Sequence, residues 1–85
     1  MKALRVKSEL SWQQVDDEVV ILDLVSSQYL SLNSTGASLW HRIVEGTPVE
    51  QLSDELVSRF DLSPSQAHSD VIDFIAKCKA LGLLE

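Results

Sequence analysis

Residues 28–40, QYLSLNSTGASLW, begin as a strand and finish as a helix. Gln28 to Leu32 alternates polar and apolar residues, the period-2 pattern of a half-buried strand. Ala37, Leu39, Trp40, Ile43 and Val44 instead recur at helical spacing, so the chain turns from β to α near Asn33. The strand half contains no Lys, Glu or Pro. Sheet edges are ordinarily blunted by charge, proline or bulges, because unpaired N–H and C=O groups recruit other strands.

Upstream, Leu10–Val15 reads as a first strand with Leu10, Trp12 and Gln14 on one face, and Asp16 and Asp17 supply turn chemistry. Glu18–Leu24 (EVVILDL) is the clearest strand: its four consecutive apolar residues, three of them β-branched, suit a strand covered on both faces. Val25–Gln28 forms the next turn, and Gln28–Leu32 is the third strand. Short connections make this an antiparallel meander in the order 1-2-3, with the third strand at an edge. Residues 1–9 are polar and basic and are expected to form a loose start, with the ordered core running from about residue 10 to residue 84.

Downstream the pattern is helical. TPVE (Thr47–Glu50) and SPSQ (Ser63–Gln66) each read as a capping box with Pro at the first helical position. Gly46 and Gly82 are placed to end the helices spanning roughly 34–45 and 64–81. The middle helix, 48–60, is expected to bury Val49, Leu52, Leu56, Val57 and Phe60. A three-stranded sheet cannot bury its apolar face alone, so the helices pack on it. The fold class is therefore α+β: a three-stranded antiparallel sheet followed by three helices, winged helix-turn-helix-like, in a single domain over 1–85.

That architecture usually signals DNA binding, but the charge opposes it. Thirteen acidic residues against seven basic give a net charge of −6, whereas a nucleic-acid binder needs a basic footprint. One cysteine allows no intrachain disulfide and suits a reducing cytoplasm. The N-terminus MKALRVKSEL lacks the apolar run of a signal peptide, and VVIL is far too short to span a membrane. A soluble cytoplasmic protein with no membrane and no nucleic-acid partner is expected.

No catalytic or cofactor pattern emerges. His41 and His68 stand in no ligand spacing with Cys78 and read as surface residues, so no metal is expected. Cys78 falls at helical spacing from Val71, Phe74, Ile75 and Leu81 and reads as a small core residue. The sequence has no nucleophile elbow and no phosphate-cradling glycine loop. A carrier-protein role would need an exposed serine at a helix start; Ser69, between His68 and Asp70 inside the third helix, does not fit it.

The third helix presents Ala67, Val71, Phe74, Ile75, Cys78 and Leu81 as one core stripe about 120° wide. Ile72 and Ala76 extend the apolar surface on one side, and Asp70, Asp73 and Lys77 flank the other. Taken alone, Ile72 meets another helix and the charges are solvated. Beside an open edge two explanations compete. Either the edge is covered by the chain's own helix or a second copy, or a partner strand adds to it and reads pockets alongside.

EVVILDLVSSQYLSLNSTGASLW together with GTPVEQLSDELVSRFDLSPSQAHSDVIDFIAKCKALGLL resembles the PqqD family, also called RiPP recognition elements, over about Trp12 to Leu84. The most specific run is Leu22-Asp23, Tyr29, Leu32-Asn33, Thr35-Gly36 and Trp40, with Asp70-Val71, Leu81 and Gly82-Leu83-Leu84 following. The resemblance implies a non-catalytic domain that binds the leader segment of a ribosomally made precursor and delivers it to a modifying enzyme or leader peptidase. It implies that the leader adds as a strand on Gln28–Leu32 in a cleft against helix 64–81. On it, backbone of Tyr29, Leu30 and Ser31 pairs with the leader; Leu30, Val71, Phe74 and Cys78 line an apolar pocket; and Asp70, Asp73 and Lys77 read charge at the rim. Asn33 or Ser34 caps the first helix, Gly36 allows close packing at the corner, and Trp40 is core. Lasso peptide, quinone cofactor and other radical-enzyme pathways all use such domains, fused or alone; a chain with its own Met1 suggests the stand-alone form. The runner-up from another class is a winged-helix regulator of transcription.

Overall fold

The computed structural model describes residues 4–84. Three strands, β1 (Leu10–Val15), β2 (Glu18–Asp23) and β3 (Tyr29–Leu32), form an antiparallel sheet in the order β1-β2-β3. Three helices follow, α1 (Ser34–Glu45), α2 (Leu52–Phe60) and α3 (Pro64–Ala80), with a short 3₁₀ turn at Val49–Gln51 leading into α2. Element order and fold class agree with the sequence reading. Among the described residues no helix is long and apolar enough to cross a membrane.

The sheet is in register through Trp12 opposite Ile21, Ile21 opposite Leu30, and Val19 opposite Leu32. The residues facing the helices meet α1, whose Trp40 is fully buried and stands edge-on to Trp12 at 6.4 Å. Val19, Ile21, Leu32, Ala37, Trp40, Cys78 and Leu83 form this half of the core. Leu39, Ile43, Leu52, Leu56, Ala67 and Val71 form the other half, between the helices. Phe74 packs against both halves and ties them together. Fully burying a Leu or Ile side chain stabilises by about 1.5–3 kcal/mol, so these layers are the main source of stability in so small a chain.

The helix ends show which local signals won. Asn33 caps α1, its Oδ1 accepting from Gly36 N–H at 3.0 Å and from Thr35 Oγ1 at 3.0 Å. Beyond α1, Gly46 takes a left-handed φ of 88°, and Thr47 N–H donates to Arg42 C=O at 2.9 Å. That bond consumes the donor a capping box at Thr47 would offer to Glu50, so the box predicted there does not form and a 3₁₀ turn opens the segment instead. At α3 the box is half made. Ser63 Oγ accepts from Gln66 N–H at 3.2 Å, but the Gln66 amide reaches forward to Asp70 Oδ1 at 2.7 Å. Gly82 (φ 74°) ends α3, with Leu83 N–H returning to Cys78 C=O at 2.9 Å.

Three further expectations are corrected. β2 is covered on one face only: Val19 and Ile21 are buried, whereas Leu22 is 38% exposed, because among the described residues no layer packs on the outer side of the sheet. Of the apolar residues expected inside the middle helix, Leu52 and Leu56 are buried while Val49, Val57 and Phe60 stay half-buried. The start of the chain is not loose where it is described. Val6 forms an antiparallel bridge with Leu84, and Lys7 N–H donates to Leu83 C=O at 2.9 Å. The rest of that expectation, residues 1–3, lies outside the described residues.

One ion cluster ties α1 to α2. Glu55 accepts from Ser38 Oγ at 2.7 Å, pairs with Arg42 Nε at 3.2 Å and with Arg59 Nη1 at 3.3 Å. Burial alone would raise the Glu55 carboxyl; the hydrogen bonds from Ser38, Arg42 and Arg59 outweigh it and hold the group below its ordinary value. A carboxyl depressed in the folded state contributes stability that is complete above its unfolded pKa and lost as pH falls through the lower folded one. We therefore expect Glu55→Gln to cost about 1–3 kcal/mol at neutral pH. Its thermal midpoint should also fall less steeply than the wild type's on acidification below about pH 4.5. Parallel pH profiles of the two melting curves would exclude this role for Glu55.

Candidate functional site

Among the described residues β3 has a strand partner on one side only. Asp23 N–H donates to Gln28 C=O at 2.8 Å, which sets the phase of the β2–β3 ladder. Because hydrogen-bonded and non-hydrogen-bonded pairs alternate, Leu30 and Leu32 face Ile21 and Val19 with their main-chain groups. Tyr29 and Ser31 then turn their N–H and C=O outward, to an edge that no strand pairs among the described residues. Side chains alternate too. Leu32 is buried and Leu30 half-buried on the helix side, while Ser31 and Tyr29, the latter 76% exposed, lie on the outer face.

α3 packs mainly on α2. Between it and the corner where β3 becomes α1 lies a groove of about 450 Å³, lined by Ser31, Leu32, Asn33, Gly36, Asp70, Asp73, Phe74 and Lys77 among others. A smaller cavity of about 220 Å³ continues toward the other end of β3, between Ile21, Leu30 and Tyr29 on the sheet and Leu81 and Leu83 beyond α3. The start of β3 thus neighbours the C-terminal end of α3, and its end neighbours Asp70–Lys77: the two elements run in opposite senses along one cleft.

Gly36 keeps the corner close to the helix. A Cβ there would stand 3.3 Å from Phe74 Cε1, a contact tight enough that the ring must give by a few tenths of an ångström, and would meet Asn33 Oδ1 and Leu32 Cβ at 3.4 Å. Phe74 is half-buried and forms part of the groove wall. At the rim, Asp70 is held by Gln66, whereas Asp73 and Lys77 make no ion pair among the described residues.

The residues singled out from sequence divide into three groups. Ser31, Leu32, Asp70, Asp73, Phe74 and Lys77 line the groove, and Gln28, Tyr29 and Leu30 line the smaller cavity. Val71 and Cys78 are buried in the core and line neither of these two cavities. The Cys78 thiol is fully buried and burial pushes it up to about 11, which leaves it a small core residue and a poor nucleophile at neutral pH. Of the three backbone assignments that of Leu30 changes, and the strand begins one residue later than expected. Gln28 precedes β3 with its carbonyl already bonded to Asp23, and the main-chain groups of Leu30 serve β2.

Ile72, expected against another helix, is 52% exposed. Leu81 and Leu83 were not singled out as site residues. For Leu83 the clue available in the sequence was GLL, apolar residues just past a helix stop that their own helix cannot cover, and Leu81 closes the α3 stripe at its last turn. His41 stands edge-on to Trp12 at 5.1 Å and contacts Gln14, and His68 is exposed. Among the described residues no three potential ligands cluster for a metal.

A family model described as coenzyme PQQ synthesis protein D (PqqD) matches residues 18–84. The chain belongs to the PqqD family. No curated protein matches it significantly. Two solved structures share its fold closely. One, TbiB1 in complex with the TbiA(beta) leader peptide, superposes with a TM-score of 0.89 at 26% identity over 95% of this chain and 94% of the other. The second, lasso peptide synthetase B1 complexed with the leader peptide, gives 0.88 at 26% identity over 98% of both chains.

The ladder phase carries its own test. In native-state hydrogen exchange, the amides of Leu30 and Leu32 should be protected and those of Tyr29 and Ser31 should exchange at least ~10-fold faster, since only the former donate within the sheet. Comparable protection at all four would mean the edge is occupied or the register shifted.

Proposed function

We propose that this PqqD-family chain is a non-catalytic adaptor that binds the leader segment of a ribosomally made precursor peptide and presents it to a modifying enzyme or leader peptidase. The leader adds as a fourth strand on β3 and lies against α3. The observation that carries this reading is the open β3 edge facing a cleft, in the fold of two proteins whose structures are leader-peptide complexes. The reading needs no cofactor and no membrane, and it suits a cytoplasmic protein with one buried thiol.

Magnitudes divide the work between backbone and side chains. Tyr29 and Ser31 offer four outward main-chain groups, and a hydrogen bond contributes roughly 0.5–1.5 kcal/mol net. Those bonds alone cannot hold a flexible peptide that must lose conformational freedom on docking. The remainder comes from leader side chains that point toward the helices, where apolar groups enter beside Leu30 and Phe74 and basic groups meet Asp70 and Asp73. A winged-helix DNA binder would need a basic helix face; α3 instead carries two aspartates beside Lys77 on the groove, in a chain of net charge −6.

Titration with the leader peptide of its precursor, followed by amide NMR, tests the reading. Tyr29 and Ser31 amides should shift and become protected, and affinity should survive moderate salt, unlike phosphate-dominated DNA binding. Ser31→Pro removes an outward donor without touching the β2 ladder, so the variant should fold and lose ~10-fold or more in affinity. Leu30→Asp should likewise abolish binding while the domain stays folded. Unmoved Tyr29 and Ser31 amides, or unchanged affinity in both variants, would rule out strand addition at β3.

A further inference from the structure

The segment before β1 reaches both sides of the smaller cavity. Lys7 N–H donates to Leu83 C=O at 2.9 Å, and Val6 bridges Leu84, so the segment fixes the chain that leaves α3. The Lys7 ammonium meets Asp23 Oδ2 at 3.2 Å, with the two side chains 28% and 13% exposed. Asp23 in turn organises the β2–β3 turn. Its Oδ1 accepts from Val25 N–H at 2.9 Å and Ser26 N–H at 3.3 Å, and Leu24 N–H returns to Glu9 C=O at 2.9 Å.

One residue is therefore bonded to the two opposing walls of the cavity. Leu81 and Leu83 form one wall, Asp23 and Ser26 the other, and the cross-strand pair Ile21 and Leu30 lies between them. We propose that Lys7 is a positioning residue of the peptide site. It holds these walls apart at the spacing that admits one large apolar side chain, aliphatic or aromatic, from the strand added to β3. The inference rests on the leader-binding reading, and it brings into that site a segment that does not touch the added strand's hydrogen bonds. Geometry supplies the class of ligand: along an added strand every second side chain faces the helices, and the one beside Leu30 meets a cavity whose apolar lining is Ile21, Leu30, Leu81 and Leu83, with the Asp23 carboxylate on the far wall already engaged by Lys7 and the turn N–H groups.

The test is a double-mutant cycle between protein and peptide. The probes are a leader peptide whose binding shifts the Tyr29 and Ser31 amides, and the same peptide with its cavity-facing residue changed to Ala. Lys7→Met keeps the aliphatic stem and removes the ion pair. It should weaken the full peptide five- to tenfold and the Ala peptide less than twofold, with Lys7→Arg restoring most of the loss. Asp23→Asn retains an oxygen for the turn N–H groups and should reproduce the Lys7→Met loss, the double variant being no weaker than either. Equal losses for the two peptides would reduce Lys7 to a general stabiliser and overturn the proposal, as would unaltered affinity in both variants. If no leader peptide shifts the Tyr29 and Ser31 amides of the wild type, the leader-binding reading itself falls and takes this inference with it. Shifts in the wild type with no Lys7 effect would overturn the inference alone.

Discussion

Two cross-strand pairs, the buried Val19 with Leu32 and Ile21 with the half-buried Leu30, hold β3 in register against the layer that Trp40 fills. A slip of one residue would turn Tyr29 and Ser31 into the core and Leu30 and Leu32 into water, so the register is strongly specified. The same alternation that buries the leucines directs the main-chain groups of Tyr29 and Ser31 away from β2. Core packing and an available edge are therefore one constraint seen from two sides. The cleft follows from it as well, since the helix-facing side of β3 meets α1 at the Gly36 corner while α3 leans mainly on α2.

Much of this was legible in the sequence because it is local. Period-2 alternation in QYLSL, the apolar run VVIL and the helical recurrence through Trp40 each declare themselves within a few residues. Asn33, Gly46 and Gly82 act through neighbours three to five positions away, and all three do what their chemistry suggests. Thr47 shows the limit of local reading. Its N–H was available to a capping box only until the end of α1 claimed it, and a window that begins at Thr47 does not contain Arg42. Gln66 similarly chose Asp70 over its own cap, a competition between two side-chain partners that spacing cannot decide.

What the sequence did not disclose is long-range. Lys7 meets Asp23 across sixteen residues and Leu83 across nearly the whole chain, and no periodicity marks either contact. Polar, basic residues at a terminus have the composition of a loose end, yet Leu4 and Val6 pack on the core. The site was partly legible for the same reason. The helical wheel of α3 sets Asp70, Asp73 and Lys77 on one flank, where they line the groove, but a wheel does not say how deep a stripe lies, and Val71 and Cys78 are buried in the core. Leu83 enters the cavity beyond the turn at Gly82, where the helical period no longer applies.

An open edge is a hazard for a soluble domain, because another copy can add to it as readily as a partner can. Here β3 is only four residues long and offers few hydrogen bonds to a stray strand. The cleft beside it is acidic on balance, and each copy carries a net charge of −6, so a second copy approaches against like charge. A strand with basic residues at the matching positions meets attraction instead. Lys, Pro or a bulge on β3 would have protected the edge from every strand, the intended one included. On the proposed leader-binding role, charge carried by Asp70 and Asp73 across the groove instead of by the strand would keep the main chain available while discriminating by charge. On that role the absence of guards in QYLSL is compatible with an ordinary globular composition, and discrimination would fall to the residues of α3 and not to the strand that makes the bonds.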